Sequence, residues 1–174
     1  EGIFSLYRTG SALSRLNRDG ILHAPPFELL ECLSLCNRVH SASGGLFDPT
    51  VQPLWQAYAR RFTTDTPNPD DIEQARALTG WQGVTFDSSA VRFATPGMAI
   101  TLNGIAQGYI ADRIAGMLAR EGLRDIMVDT GELRALGGHP QGGDWPVRLQ
   151  TVEGVETGTA HLRDMAMATS SPTG

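Results

Sequence analysis

The chain has 174 residues, enough for one domain with its own core, and its 41% hydrophobic and 19% charged residues are ordinary for a globular protein. Its net charge of −5 argues against a nucleic-acid or anionic-membrane partner. No apolar run approaches the ~20 residues that a membrane-spanning helix needs. The chain opens at Glu1 and closes on "ATSSPTG", so we expect a domain, residues 1–174, that is cut at both ends.

The first half of the chain is dominated by helix patterns. "IFSLYR", residues 3–8, is apolar on nearly both sides and predicts a short buried strand, and "TGSALSRLNR" predicts a short helix. "PPFELLECLSLCNRVHSASGG" predicts a long helix that starts at proline and stops at glycine. Cys32 and Cys36 lie one turn apart on it, and we interpret them as small buried hydrophobes. A helix in "FDPTVQPLWQAYARRF", a polar linker at residues 63–70 and a helix capped by Asn68 follow.

The second half of the chain is rich in strand patterns. "GVTFD" and "AVRFA" predict a hairpin, and residues 98–103 predict a further strand. Residues 105–121 predict a helix with Ile114 and Met117 on its apolar face. Segments from "DIMVDTG" to "TAHLRDMAMATS" predict successive strands. This order predicts the α+β class, as a single domain of layered, mostly antiparallel sheet with flanking helices.

The common catalytic motifs are missing from the sequence. The histidines His23, His40, His139 and His161 are scattered and show no spacing typical of a zinc site. There is no GxSxG of a serine hydrolase, no GxxxxGK[ST] of a P-loop and no GxGxxG of a dinucleotide fold. The sequence therefore does not indicate a zinc site, a serine hydrolase, a P-loop or a dinucleotide-binding fold.

Four short segments carry a more specific signal when they are taken together. They are "SLYRTGSALSRLN" (5–17), "GGLFDPTVQPL" (44–54), "TLNGIAQGYIADR" (101–113) and "VDTGELRALGG" (128–138), with "WPVRL" after the last. In this order they resemble the motifs of the ApbE family of FAD:protein FMN transferases. The usual sequences of these motifs in that family are "STYRPDSELSRLN", "GAFDPTVGPL", "DLGGIAKGYAVDR" and "VDLGGDIRALG". The resemblance extends from Phe4 to about Thr169. The motif sequences are most similar to those of the NosX branch of the family, which accompanies nitrous-oxide reductase.

The resemblance implies a reaction and a setting. An enzyme of this family uses FAD and Mg²⁺. A threonine hydroxyl of a partner protein attacks the FMN phosphorus, AMP leaves, and FMN stays attached through a phosphoester. For this branch the implied partner is a membrane-anchored, NosR-like flavoprotein in the periplasm, in nitrous-oxide reductase maturation and denitrification. Such phosphoryl-type transfer asks the protein for positioning and charge neutralisation, and no residue is assigned as catalytic.

The resemblance also implies which residues hold the substrate. The implied FAD contacts are Tyr7, Leu46, Phe47, Asp48, Thr101 and Gln107. Thr101 stands where the family usually has Asp, and Gln107 where it has Lys or Glu. Gly104 matches the position whose backbone carbonyl coordinates magnesium, a ligand type that hard cations accept. We expect Tyr7, Asp48, Thr101, Gly104 and Gln107 to converge on one cleft.

Two other hypotheses stay open. Because Thr101 and Gln107 are both neutral, the protein is alternatively an FAD-binding carrier or scaffold without transfer activity. A third hypothesis is an assembly chaperone that docks on a respiratory complex through an exposed apolar patch. In the family a "HIIDPRTG"-like segment with further metal ligands follows the part matched here. We therefore expect the 174-residue chain to hold Mg²⁺ weakly.

Overall fold

A computed structural model describes residues 2–61 and 69–169 of the chain. It divides into two compact units, Glu1–Ile105 and Ala106–Gly174, which are described separately below. The predicted Asn68 cap, most of the predicted linker and the final "SPTG" lie outside the described residues, and the assignment of residues 1–174 to one domain stays a prediction. In the described part of the chain, no helix combines the length and apolar character that crossing a membrane requires.

The first unit combines helices with a small sheet. Its helices are α1 (Ala12–Asp19), α2 (Phe27–Ala42), α3 (Gln52–Arg61) and α4 (Pro69–Ala77), and its strands are β1 (Ile21–His23), β2 (Val84–Phe86) and β3 (Ala90–Phe93). Short 3₁₀ turns, Pro49–Val51 and Trp81–Gly83, precede α3 and β2. The strands pair antiparallel in the order β1-β3-β2, so the predicted hairpin is confirmed.

The core of the first unit is built largely by α1 and α2. Ser11 caps α1, since its hydroxyl accepts a hydrogen bond from the Ser14 N–H. The fully buried side chains of the two helices include Leu13, Leu16, Leu29, Cys32, Leu33 and Cys36. Both cysteines are free and buried, which confirms their interpretation as small core residues. The pKa of the Cys36 thiol is raised, mainly by its hydrogen-bond contact with the Cys32 sulfur and secondly by burial. This thiol is therefore kept neutral.

The second unit places one helix on a sheet. Helix α5 (Ala106–Arg120) is followed by β4 (Ile126–Asp129), β5 (Leu133–Leu136), β6 (Trp145–Gln150), β7 (Glu156–Leu162) and β8 (Ala166–Met167). The strands β4, β5 and β8 form one antiparallel sheet, and β6 pairs with β7. Ala111 and Ala115 of α5 pack with Val128 of β4. The α+β class with antiparallel sheet is confirmed, and α5 begins and ends within one residue of its prediction.

The structure corrects two details of the second unit. "TAHLRDMAMATS" does not form one strand, because the chain turns at residues 163–165 between β7 and β8. Asp164 sits in that turn with a φ of 54°, which an extended strand does not contain. Met117 was predicted on the apolar face of α5 but is 56% exposed, while Ala111 and Ala115 take the buried positions. Small residues on that face bring α5 close to the sheet.

The strand predicted at residues 3–8 is wrong, because these residues form turns. The carbonyls of Gly2 and Ile3 accept hydrogen bonds from Ala12 N (3.0 Å) and Leu13 N (2.9 Å) at the start of α1. The first N–H groups of a helix have no partner inside it, so this segment satisfies them instead of pairing with a strand. The apolar residues of segment 3–8 therefore belong to turns at the start of α1 and not to a strand.

The strand predicted at residues 98–103 is also wrong, although the segment is well packed. Ile100 is fully buried, and its backbone pairs with a side chain in place of a strand. The Asn17 amide donates to Ile100 O (2.8 Å) and accepts from Ile100 N (2.9 Å). Thr101 N donates to Pro49 O at 2.8 Å. One asparagine on α1 thus replaces a strand neighbour, and this leaves the segment irregular.

We predict that Asn17→Ala lowers the free energy of unfolding by about 1–3 kcal/mol, because it leaves the N–H and C=O groups of buried Ile100 without hydrogen-bond partners. Alanine is the better helix former, so the loss would appear in spite of a gain in α1 propensity. Urea denaturation measures the change. The control is Asn103→Ala, at an exposed residue, which we expect to stay within about 0.5 kcal/mol. Equal losses in the two variants would contradict the pairing role of Asn17.

Candidate functional site

The centre of the second motif is a short loop, Phe47–Thr50, which we call the FDPT loop. One Asp48 carboxylate oxygen, Oδ1, accepts from Thr50 N (2.8 Å) and Thr50 Oγ1 (2.6 Å). The other, Oδ2, accepts from Trp81 N at 3.1 Å. Thr50 Oγ1 in turn accepts from Gly80 N at 2.6 Å. The carboxylate thus caps the turn that leads into α3 and ties it to residues 80–81.

The last turn of α2 holds the FDPT loop from its other side. His40 Nδ1 lies 2.8 Å from the carbonyl oxygen of Phe47 and donates to it, since a carbonyl only accepts. Phe47 N donates to Ser43 Oγ at 3.0 Å. The buried Trp81 indole donates to Asn37 Oδ1 at 2.9 Å. The loop is therefore fixed at both ends by α2 and by residues 80–81.

The FDPT loop lies directly against the third motif. Pro49 O accepts the hydrogen bond from Thr101 N, as described above. A Cβ placed on Gly104 would meet the Phe47 ring at 3.7 Å, which is ordinary van der Waals contact. Phe47 and Gly104, which are far apart in sequence, are thus neighbours in the structure. The first unit therefore brings the implied FAD contacts Phe47, Asp48 and Thr101 close to the implied metal position, Gly104.

The first motif adds an open cleft to the first unit. The cleft has a volume of about 380 Å³, and its walls include Leu6 and Thr9 from the first motif, Gln52 from the second and Ala99 beside the third. Tyr7 lies between two of these residues in the sequence and is 86% exposed, so it is not a core aromatic on a strand. Leu46 is 93% exposed. Both side chains present apolar surface that the first unit does not bury.

The second unit joins the third motif to the fourth. Gln107, near the start of α5, donates from Nε2 to Thr130 O at 3.5 Å, and Thr130 Oγ1 donates to Gln107 O at 3.4 Å. Gly131 has a φ of 93°, and a Cβ there would come within 2.9 Å of Gln107 Nε2. Glycine at this position therefore allows the turn and leaves room for Gln107. Since Gln107 belongs to the second unit, the convergence of all five predicted residues stays a prediction.

The observed role of Asp48 differs from the role first expected for it. The family resemblance implied that Asp48 contacts FAD. In the structure both oxygens accept hydrogen bonds from Thr50 and Trp81. These bonds show a carboxylate that shapes the loop. A direct contact between Asp48 and FAD stays a prediction.

The donors near Gly104 do not fit Mg²⁺ by themselves. The Gly104 carbonyl is neutral, and the Thr101 hydroxyl already accepts from Asn103 N at 3.3 Å. Within residues 2–61 and 69–169, no three His, Cys, Asp or Glu side chains are grouped to hold a metal ion. Magnesium needs near-octahedral oxygen coordination and usually one or two carboxylates.

The fold and the paired motifs agree with comparisons to known proteins. The ApbE family model matches residues 1–173, and the chain belongs to the ApbE family. It is 26% identical to the FAD:protein FMN transferase of Haemophilus influenzae over 181 residues, which cover 95% of this chain and 52% of that protein. The chain spans about half the length of the curated relatives it matches.

Solved structures show the same fold. The flavin transferase ApbE of Vibrio cholerae aligns with a TM-score of 0.81 at 26% identity, over 94% of this chain and 56% of that one. The apo flavinyl transferase ApbE of Pseudomonas stutzeri gives a TM-score of 0.81 at 29% identity, over 97% of this chain and 55% of that one. The family membership inferred from the four motifs is confirmed.

Sequence reasoning missed several residues that build this site. His40 and Trp81 carry no local signal, because their partners lie seven and 33 or more positions away. Gln52 is buried in the cleft wall and lies within the second motif, but nothing in that motif marks it as a residue of the site. Thr50 was visible in principle, because an Asp before Pro at the start of a helical turn is a capping signal.

We predict that Thr50→Val lowers the free energy of unfolding by about 1–3 kcal/mol. Valine keeps the shape of this fully buried side chain but removes the donor to Asp48 and the acceptor for Gly80 N–H. Thermal or urea unfolding measures the change. Thr95→Val is the matched control, at an exposed threonine of the same unit, and we expect it to stay within about 0.5 kcal/mol. A Thr50→Val protein as stable as this control would refute the network.

Proposed function

We propose that this chain is the flavin-handling part of an FAD:protein FMN transferase. In the proposed step the oxygen of a threonine hydroxyl attacks the FMN phosphorus of FAD. The bond from that phosphorus to the bridging oxygen breaks, AMP leaves with the electron pair, and the threonine proton passes to the leaving phosphate or to water. The product is a protein carrying FMN through a phosphoester.

The observation that carries the proposal is the meeting of the FDPT loop with the third motif. The Phe47 ring lies beside Gly104, and Pro49 O binds Thr101 N at 2.8 Å. These are the segments that the resemblance links to FAD and its pyrophosphate. The curated relatives that the chain matches are FAD:protein FMN transferases. Proximity of this kind is what a transfer reaction asks of its protein.

The chain's own residues suit the two ends of a flavin nucleotide. Exposed Tyr7 and Leu46 and half-buried Phe47 offer flat or apolar surface, which suits stacking on an isoalloxazine ring. The turn at residues 103–105 leads into α5, and the free N–H groups at a helix start favour the charge of a pyrophosphate. In this proposal Thr101 and Gln107 contribute neutral hydrogen bonds where charged groups are usual in the family.

We propose the finer setting from the resemblance alone. The acceptor is a threonine of a membrane-anchored, NosR-like flavoprotein, and the reaction takes place in the periplasm during nitrous-oxide reductase maturation. Mg²⁺, when bound, would neutralise phosphate charge. The resemblance assigns the Gly104 carbonyl to it, and the described residues contain no group of three His, Cys, Asp or Glu side chains that could hold the ion.

Incubating the full-length protein with FAD, Mg²⁺ and an acceptor protein tests the function directly. We expect covalent flavin fluorescence on the acceptor after denaturation, and one AMP released for each FMN attached. The control acceptor carries Thr→Ala at the modified position and should stay unlabelled. FAD binding without covalent transfer would favour the carrier hypothesis, which the neutral Thr101 and Gln107 support. The absence of both binding and transfer would overturn both hypotheses.

We predict that Tyr7→Ala weakens FAD binding by about tenfold, since stacking on an aromatic ring contributes about 1–3 kcal/mol. Tyr7 is 86% exposed, so its removal should change the free energy of unfolding by no more than about 0.5 kcal/mol. Flavin fluorescence titration and urea denaturation measure the two effects. Trp55→Ala, at an aromatic that is 62% exposed, is the control and should leave FAD affinity unchanged. Equal weakening by both variants would contradict a specific role for Tyr7.

A further inference from the structure

The third motif contains an exposed Asn-Gly pair, Asn103–Gly104, and the sequence contains no other. In the family sequence quoted above the same two positions are Gly-Gly. Both residues are exposed and lie in a turn between buried Leu102 and half-buried Ile105. Ile105 N donates to Leu102 O at 3.0 Å, which closes the turn. The pair is thus presented to water by a turn that is held at both ends.

The hydrogen bonds of this turn leave the backbone N–H of Gly104 open. Asn103 N donates to Thr101 Oγ1 at 3.3 Å, and Ile105 N donates to Leu102 O. Within residues 2–61 and 69–169, no group accepts a hydrogen bond from Gly104 N or pairs with the Asn103 side chain. Glycine has no Cβ, so its nitrogen is the least hindered in the backbone. An accessible nitrogen therefore follows directly after an uncommitted side-chain amide.

Two other asparagines of the described chain are held differently. Both ends of the Asn17 amide are bound to the Ile100 backbone. Asn37 Oδ1 accepts from the Trp81 indole at 2.9 Å. Each of the two asparagines lies inside a helix, α1 or α2, and is followed by an arginine. Their side chains and the next backbone nitrogens are therefore less free to react with each other than those of Asn103 and Gly104.

We propose that Asn103–Gly104 is a site of spontaneous deamidation, which converts Asn103 to aspartate or isoaspartate with water as the co-reactant. The Gly104 nitrogen attacks Cγ of Asn103, and a bond forms between these two atoms. The side-chain NH₂ group leaves with the Gly104 proton as ammonia, and a five-membered succinimide remains. Water then opens the ring. Cleavage at Cγ gives aspartate, and cleavage at the main-chain carbonyl carbon gives isoaspartate.

The modification changes the charge and the geometry of the turn. It adds a carboxylate next to Gly104. In the isoaspartyl product the main chain also gains one carbon before Gly104, which disturbs the position of Gly104 beside the Phe47 ring. The consequence for FAD rests on the proposed function, in which this turn lies at the pyrophosphate. We expect the modified protein to bind FAD about two- to fivefold more weakly without Mg²⁺, since a pair of exposed charges contributes up to about 1 kcal/mol.

The test incubates the full-length protein at mildly alkaline pH, where a backbone nitrogen loses its proton more readily, and maps its peptides by mass spectrometry. We expect the peptide with Asn103 to shift from the amide to the acid mass and to separate into aspartyl and isoaspartyl forms. The peptides with Asn17 and Asn37 should keep their amides. Gly104→Ala should slow the conversion, because a Cβ hinders the attacking nitrogen.

Three results would overturn the proposal. They are an unchanged Asn103 peptide, equal conversion at Asn17 and Asn37, and an unchanged rate in Gly104→Ala, which would indicate direct hydrolysis of the side chain. Flavin fluorescence titration before and after the incubation measures the effect on FAD. The matched control is Asn103→Ala, whose FAD affinity should stay constant over the same incubation. An equal decline in both proteins would contradict an effect of Asn103 on FAD binding.

The inference and the transferase function fail separately. Deamidation at Asn103 in a protein that neither binds FAD nor transfers FMN would keep the modification site and remove the proposed function. Transfer of FMN by a protein whose Asn103 stays an amide throughout would remove the inference and leave the function standing.

Discussion

The first unit depends on the Asp48 carboxylate. One oxygen holds Thr50 and the other reaches Trp81, so a single side chain fixes both the start of α3 and the chain at residues 80–81. Charge-assisted hydrogen bonds of this kind are stronger than neutral ones, and together they leave the loop one conformation. That conformation points Pro49 O at Thr101 N and sets Phe47 beside Gly104. The candidate flavin site is therefore a consequence of how one carboxylate is satisfied.

Much of the fold could be predicted from local pattern. α2 was recognisable because apolar spacing, proline and glycine all indicated its bounds, and α5 because of its apolar spacing. The β2–β3 hairpin was recognisable because two strand-like runs flank Asp87 and Ser89. Residues 3–8 and 98–103 failed for one shared physical reason. Both segments are apolar and extended-looking, but their hydrogen bonds go to the start of α1 and to Asn17. A pattern of apolar residues reports burial and does not report which group satisfies the backbone.

The candidate site shows the same division. The family resemblance indicated which segments would matter, and the contact between Phe47 and Gly104 agrees with it. It could not indicate that the Asp48 carboxylate would also bind Trp81, because that residue lies 33 positions away in the sequence. It also gave no sign of His40, whose role is defined only once α2 and the FDPT loop are folded together. Site residues that act through others leave little trace in a single sequence.

Trp81 closes the network around Asp48, and its indole is 5% exposed, whereas the indole of Trp55 is 62% exposed. A shielded indole fluoresces at shorter wavelengths than an indole in water, so the emission maxima of the two side chains differ. Trp81 N–H and Nε1–H are bound to Asp48 and Asn37, and its ring lies 6.3 Å from that of His40. The blue edge of the intrinsic emission therefore comes from Trp81, which locks the FDPT loop, and from Trp145, whose Nε1 atom is buried. The fluorescence of Trp81 would therefore report whether the FDPT loop is in place.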